Sequence, residues 1–189
     1  MQQTDRSAAM QTADEVVSAL NRQTANAWTL YHNLKKHHWQ VYGPEFRSLH
    51  KLFEDQAEEL LESLDDMAER IRAFQKNPVF ALEAIPQTAS VPCSTPGFQT
   101  TREMVQEALD AHAQIIVEMK QDIRIAEDHD DPGTADLLSG IIQVHEKQAW
   151  MLREYLHPSG LETDMSGGDL HSARAGVPAD MSAARTSGA

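Results

Sequence analysis

From Phe46 onward, apolar residues recur at Phe46, Leu49, Phe53, Ala57, Leu60, Leu64, Met67, Ile71 and Phe74, in alternating steps of three and four. That spacing is one stripe of a long amphipathic helix, and a stripe of this length has to be buried against other helices. A second stripe, one residue further round, carries His50, Glu54, Glu58, Glu62, Asp65 and Glu69 at the same steps. The first stripe is core; the second is a face of nitrogen and oxygen donors.

His50 and Glu54 are four residues apart and lie one above the other, as do Asp65 and Glu69. The residues from Glu54 to Asp65 make almost a whole number of turns, which keeps both pairs on one face but separates them by about 16 Å. One helix cannot close both pairs on one ion. A two-fold axis relating antiparallel copies of the helix would set His50 and Glu54 of one subunit against Asp65 and Glu69 of its mate, giving two equivalent sites. His38 precedes the break at Gly43-Pro44 and can fold back near His50 as a further nitrogen donor. Imidazole with carboxylate suits iron, zinc or manganese better than calcium. Acidic residues on a helix face are ordinarily just solvated; the conjunction of two histidines with two carboxylate pairs points to a metal.

The rest of the chain is organised around this helix. From Ala13 to about Gln40, Val16, Leu20, Ala27, Tyr31 and Leu34, broadened by Trp28 and Leu30, predict a first helix, preceded by a polar, flexible extension over residues 1–12. Lys35, Lys36 and His37 suit the negative end of its dipole. A short turn makes the first two helices an antiparallel hairpin, and Asn77-Pro78 stops the second near Gln75. Residues 75–100 hold prolines 78, 86, 92 and 96 and form a long crossover, in which only Val79 to Ile85 can make a short helix. Thr100 and Glu103 fit a capping box that opens a third helix, with Val105, Ala108, Ile115, Met119, Ile123 and Ala126 inside. His112 falls on that stripe and reads as a hydrogen-bonded core histidine. Asp131-Pro132 caps and starts a fourth helix, with Leu138, Ile141, Ala149, Leu152 and Leu156 inside, ending at His157-Pro158. Two helical hairpins joined by one long crossover make an all-α, ferritin-like four-helix bundle over residues 13–157. Residues 158–189, rich in Gly, Ser and Ala, read as a flexible tail.

At 189 residues the chain has room for one such domain. It carries 29 acidic against 16 basic residues, a formal charge of −13, which attracts cations and repels phosphate backbones. The single cysteine, Cys93, excludes an intrachain disulfide. Neither a signal peptide nor an apolar run long enough to span a bilayer is evident, so a soluble, cytoplasmic protein is expected.

His38-Trp39, Gly43-Pro44, Phe46, Leu49-His50 and Asp65-Asp66-Met67-Ala68-Glu69-Arg70 together form a specific pattern, continued more weakly by Thr134-Ala135-Asp136-Leu137-Leu138. Through these residues the chain resembles the Dps proteins, the small twelve-subunit members of the ferritin-like group. The resemblance implies a ferroxidase centre at a two-fold interface, with His38, His50 and Glu54 from one subunit and Asp65 and Glu69 from the other. The family usually has Asp where this chain has Glu54, and Asp55 is adjacent, so which of the two completes the site is open. Trp39 would serve as a radical sink beside the site, a role compatible with ordinary packing. Asp128, Asp130 and Asp136 would line a three-fold pore that draws in Fe(II), although one carboxylate of that corner must also cap a helix. Glu58 and Glu62 would nucleate mineral if they face the cavity, and are otherwise solvated.

The expected function is iron storage and detoxification by a homododecamer. Fe(II) would be oxidised to Fe(III) at intersubunit sites, by hydrogen peroxide in preference to oxygen, and ferric oxide stored in a hollow shell. A larger ferritin with a di-iron site inside one bundle needs two Glu-x-x-His pairs on separate helices, and only Glu154-Tyr155-Leu156-His157 matches. A DNA-binding or purely structural relative is the other alternative, but neither terminus is basic, so direct DNA binding is disfavoured.

Overall fold

The computed structural model describes residues 2–157, with side chains from residue 14 onward; the expected tail at 158–189 lies outside the described residues. The described residues are helical and contain no strand. They form α1 (Gln2–Gln40), α2 (Phe46–Ala73), α3 (Ile85–Thr88), α4 (Thr101–Asp128) and α5 (Pro132–Leu156). The hairpins α1/α2 and α4/α5 pack through α1 against α4 and α2 against α5, while α3 lies on α1. No described helix is long and apolar enough to cross a membrane.

Two boundaries differ from expectation. The first helix begins at Gln2, not Ala13, so residues 2–12 are helical where an extension was expected. Ala8, Ala9, Met10 and Gln11 are good helix formers, and neither Gly nor Pro interrupts the chain before Gly43. The short crossover helix falls at Ile85–Thr88, after the stretch expected to hold it, because Pro86 sits in its first turn, where a missing N–H costs nothing. The predicted capping box at Thr100 and Glu103 is present, and Asp131 accepts the Thr134 N–H at the start of α5.

The α2 stripe is buried at Leu49, Phe53, Ala57, Leu60, Met67 and Ile71, whereas Phe46, in the first turn, is exposed and lies against the His50 ring. On α1 burial extends well beyond the apolar stripe, to Gln23, Thr24, Asn26, Thr29, Asn33 and His37. Polar groups inside a protein need partners, and the crossover and α4 supply most of them. Asn26 Oδ1 accepts from Ser90 N (2.8 Å), Ser90 Oγ (3.1 Å) and Val91 N (3.1 Å). Asn33 accepts from Ser94 N and donates to Pro92 O. Lys36 donates to Ser94 Oγ, Thr95 O and Gln99 Oε1. These contacts lay a proline-rich segment along a helix without any apolar run to hold it. Gln23 and Arg22 meet the buried Asp122 of α4.

His37, expected to face the negative end of the helix dipole as a last-turn cation, is fully buried. It lies against Phe53, with Nε2 3.6 Å from Glu107 Oε1. Burial by itself would raise the Glu107 pKa, but the neighbouring His37, Ser94 and Gln99 side chains hold it down to about 2. His112 is a core histidine as expected, and its partner comes from the neighbouring helix: His112 Nδ1 and His145 Nδ1 are 2.8 Å apart, both rings buried. One Nδ1–H must donate to the other, unprotonated nitrogen, so the two rings cannot both be charged. Burial, with the neighbouring His145, pushes His112 well below the ordinary value, and burial pushes His145 down to about 4.

Two outcomes are expected. Asn26→Ala should cost about 1–3 kcal/mol in urea unfolding, with faster hydrogen exchange at Ser90 and Val91, because it strands the buried Val91 N–H and the partly buried Ser90 N–H. The histidine pair makes stability fall with acid. The unfolded histidines protonate near the ordinary value of 6.5, while folded His145 does so only near 4. Stability is therefore complete above pH 6.5 and declines toward pH 4, at up to about 1.4 kcal/mol per pH unit for each histidine. Urea unfolding of the metal-free protein at stepped pH should show this slope, and the double variant His112→Leu, His145→Leu should flatten it.

Candidate metal centre

The chain reverses between α1 and α2 through residues 41–45. Gly43 has φ +89°, a left-handed conformation that only glycine adopts without strain, and its carbonyl accepts from Phe46 N at 3.1 Å. The tight reversal sets the last turns of α1 against the first turns of α2, and so brings His38 to His50. Their rings stack with centroids 3.7 Å apart. His38 Nδ1 is 2.8 Å from His50 O, and His50 Nδ1 is 2.8 Å from His38 O. A carbonyl can only accept, so each Nδ1 carries a proton and Nε2 is the nitrogen through which either ring can ligate a metal. Backbone partners thus orient both imidazoles and leave Nε2 as the nitrogen available to a metal.

Glu54, on the next turn of α2, is drawn to the same place. Its Oε2 lies 3.3 Å from His38 Nδ1 and accepts a hydrogen bond from Lys35 Nζ. That lysine bond is the main cause of a pKa below the usual carboxylate range; burial opposes it, and the charges of His38, Lys35 and His50 assist it. Asp55 is turned away and pairs with Lys51. His38, His50 and Glu54 are therefore neighbours within one chain, and Asp55 is not among them.

Asp65 and Glu69 are exposed further along α2 and do not approach these three residues. Among the described residues no group of three or more His, Cys, Asp or Glu side chains forms a metal cage within one chain, consistent with the roughly 16 Å that the helical rise puts between the two pairs. Trp39 is 71% exposed, so it is not packed at the helix end, and Lys35 Nζ lies 5.8 Å from its ring centroid. Glu58 and Glu62 are exposed and line a groove of about 360 Å³ between α2 and α5, with Asp55, Glu59, Lys147 and Gln148.

Asp128, Asp130 and Asp136 are all exposed at the α4–α5 corner, where Asp130 has φ +56°. Asp131 is the capping carboxylate of that corner, and Arg70 reaches across from α2 to hold it. Arg70 Nη2 is 2.5 Å from Asp131 Oδ1, and Nε is 2.9 Å from Thr134 Oγ1. Burial would raise the Asp131 pKa, but the Thr134 hydrogen bonds and Arg70 hold it below the usual range. A Cβ on Gly133 would meet the Arg70 guanidinium at 3.0 Å, so the glycine makes room for the clamp.

Sequence reasoning missed Lys35 as a partner of Glu54, and Arg70 as the link from α2 to the acidic corner. Lys35 carries a readable signal, since it lies one turn before His38 on the same face of α1. Arg70 carries none, because its partners are more than sixty positions away.

The chain matches the ferritin-like domain over residues 17–158. It is 36% identical over 143 residues to DNA protection during starvation protein 2 of Bacillus anthracis, covering 76% of this chain and 97% of that one. The solved structure of Dps from Thermosynechococcus elongatus is similar at TM-score 0.78 and 40% identity, covering 80% of this chain and 96% of that one. Dps from Vibrio cholerae O1, described as a member of a broad superfamily of ferritin-like diiron-carboxylate proteins, is similar at TM-score 0.73 and 28% identity, covering 77% and 91%. The bundle, its single long crossover and these likenesses agree: the chain belongs to the Dps family of ferritin-like proteins.

Proposed function

We propose that this protein is a ferroxidase and iron-storage subunit that oxidises Fe(II) at sites shared between two copies of the chain. The observation that carries the proposal is the stacked His38–His50 pair, with both Nδ1 protons held on carbonyls and Glu54 alongside. Two neutral imidazoles bind Fe(II) with modest affinity, and carboxylates stabilise the added charge of Fe(III). In a two-fold dimer with antiparallel α2 helices, Asp65 and Glu69 of the second copy complete each site. Exposed Phe46, Leu61, Phe80, Leu82 and Phe98 give such a chain apolar surface to bury on assembly.

Each peroxide molecule takes one electron from each of two Fe(II) ions and, with two protons, leaves as two waters. Supplying both electrons from neighbouring ions avoids release of a hydroxyl radical. Trp39 would intercept one that escapes. The remaining parts of the proposal are a dodecameric shell, entry past Asp128, Asp130 and Asp136 at three-fold corners, mineral nucleation at Glu58 and Glu62, and a cytoplasmic location.

Relatives of this chain are named for DNA protection. Here protection would come from removing Fe(II) and peroxide, because a chain of formal charge −13 repels a phosphate backbone. The residues after His157 add only Arg174 and Arg185 against Glu162, Asp164, Asp169 and Asp180.

Anaerobic Fe(II) loading followed by a peroxide pulse should give rapid ferric absorbance without precipitate, in a particle much larger than one chain. His50→Ala and Asp65→Ala should each slow that oxidation by roughly tenfold or more while leaving the helical circular dichroism unchanged. Wild-type rates in both variants would overturn the proposal. In a gel-shift titration, no retardation of duplex DNA is expected at about 0.15 M salt; retardation that weakens steeply with added salt would favour the DNA-binding alternative.

A further inference from the structure

The proposed site contains a cation of its own. Lys35 and His38 are three apart on α1, and the antiparallel register of the hairpin brings this face against Glu54 and His50 of α2. The Lys35 ammonium donates to Glu54 Oε2, the same oxygen that lies 3.3 Å from His38 Nδ1. The pair is sheltered: the lysine side chain is 19% exposed and the carboxylate 30%. A carboxylate one methylene longer than Asp has the reach to meet a lysine across the hairpin while staying beside the histidines.

We propose that Lys35 is a built-in counter-ion that holds the carboxylate arm of the site in the metal-free protein and is displaced from Glu54 when a divalent cation enters. This rests on the ferroxidase reading of the site. Ammonium and metal ion compete for one carboxylate oxygen, so Lys35 lowers metal affinity. The Trp39 ring, 5.8 Å from Nζ, offers the displaced ammonium a second seat through its π-face. With Asp65 and Glu69 supplied by a second copy, the three ligand carboxylates and Lys35 leave a net charge of −2, which one divalent ion neutralises. The lysine therefore favours the first metal ion over a second. Lys35 is thus a specificity-determining residue that sets the occupancy threshold without ligating the metal.

The test is calorimetric titration of the assembled, metal-free protein with Co(II), which reports binding without oxidation. Lys35→Gln and Lys35→Met should each bind Co(II) roughly threefold to tenfold more tightly than wild type, the range expected for losing a partly sheltered charged hydrogen bond. Lys35→Arg, which keeps the charge, should restore the weaker binding. In a Glu54→Gln background Lys35→Gln should have no further effect, because the contested oxygen is no longer charged. In peroxide-driven iron oxidation the two neutral variants should lower KM more than they change kcat. Unchanged or weaker Co(II) binding in both neutral variants, with binding still lost in His50→Ala, would overturn the counter-ion role and leave the ferroxidase site standing. Co(II) binding unaffected by His50→Ala would overturn the site and, with it, the role of Lys35.

Discussion

Helix α1 is buried on more of its circumference than its apolar residues can cover, and much of the molecule is arranged to satisfy the polar groups this leaves inside. Asn26, Asn33 and Lys36 hold the crossover along one side, while Arg22 and Gln23 meet Asp122 on α4. A buried amide left unpaired costs as much as several good apolar contacts contribute. The proline-rich segment is therefore held by hydrogen bonds from α1 in place of a regular structure of its own. The same helix then delivers His38 and Lys35 to the site, so the scaffold and the candidate centre share one element.

At the centre, the decisive chemistry is a backbone matter. Carbonyls of residues 38 and 50 each take the Nδ1 proton of the other residue, which settles both tautomers without help from a carboxylate. Glu54 is left to answer to charge, and the nearest charge is Lys35. Lys35 offsets the Glu54 charge within one chain, which suits a protein whose proposed cargo is a cation that must bind and then move on. The acidic corner follows a different logic. Asp131 is committed to Arg70 and to the start of α5, so Asp128, Asp130 and Asp136 stay exposed and uncommitted to that structural task.

Much of the fold was legible because helical periodicity is a local property. The α2 stripe, the Thr100 capping box and the Asp131-Pro132 start each depend on residues within a turn or two of one another, and they appear as read except that Phe46, at the start of the stripe, is exposed. The misplaced elements were those where local signals were weak or ambiguous. Residues 2–12 lack an apolar stripe yet have no helix breaker, and Pro86 was read as an interruption when it opens α3. His112 was legible as core, but His145, on the matching stripe of α5, was not seen as its partner, because nothing local tells which two stripes will face each other.

The sequence by itself determined the helices, the two hairpins, the family pattern and the donor types at His38, His50, Glu54, Asp65 and Glu69, since spacing along a helix sets which side chains share a face. Only the tertiary structure decided which nitrogens carry protons, that Glu54 faces the histidines while Asp55 pairs outward with Lys51, and that Lys35 competes for the ligand carboxylate. These are outcomes of contact between elements. A ring's tautomer and a carboxylate's partner depend on what the neighbouring helix presents within about 3 Å, and that distance is set by packing.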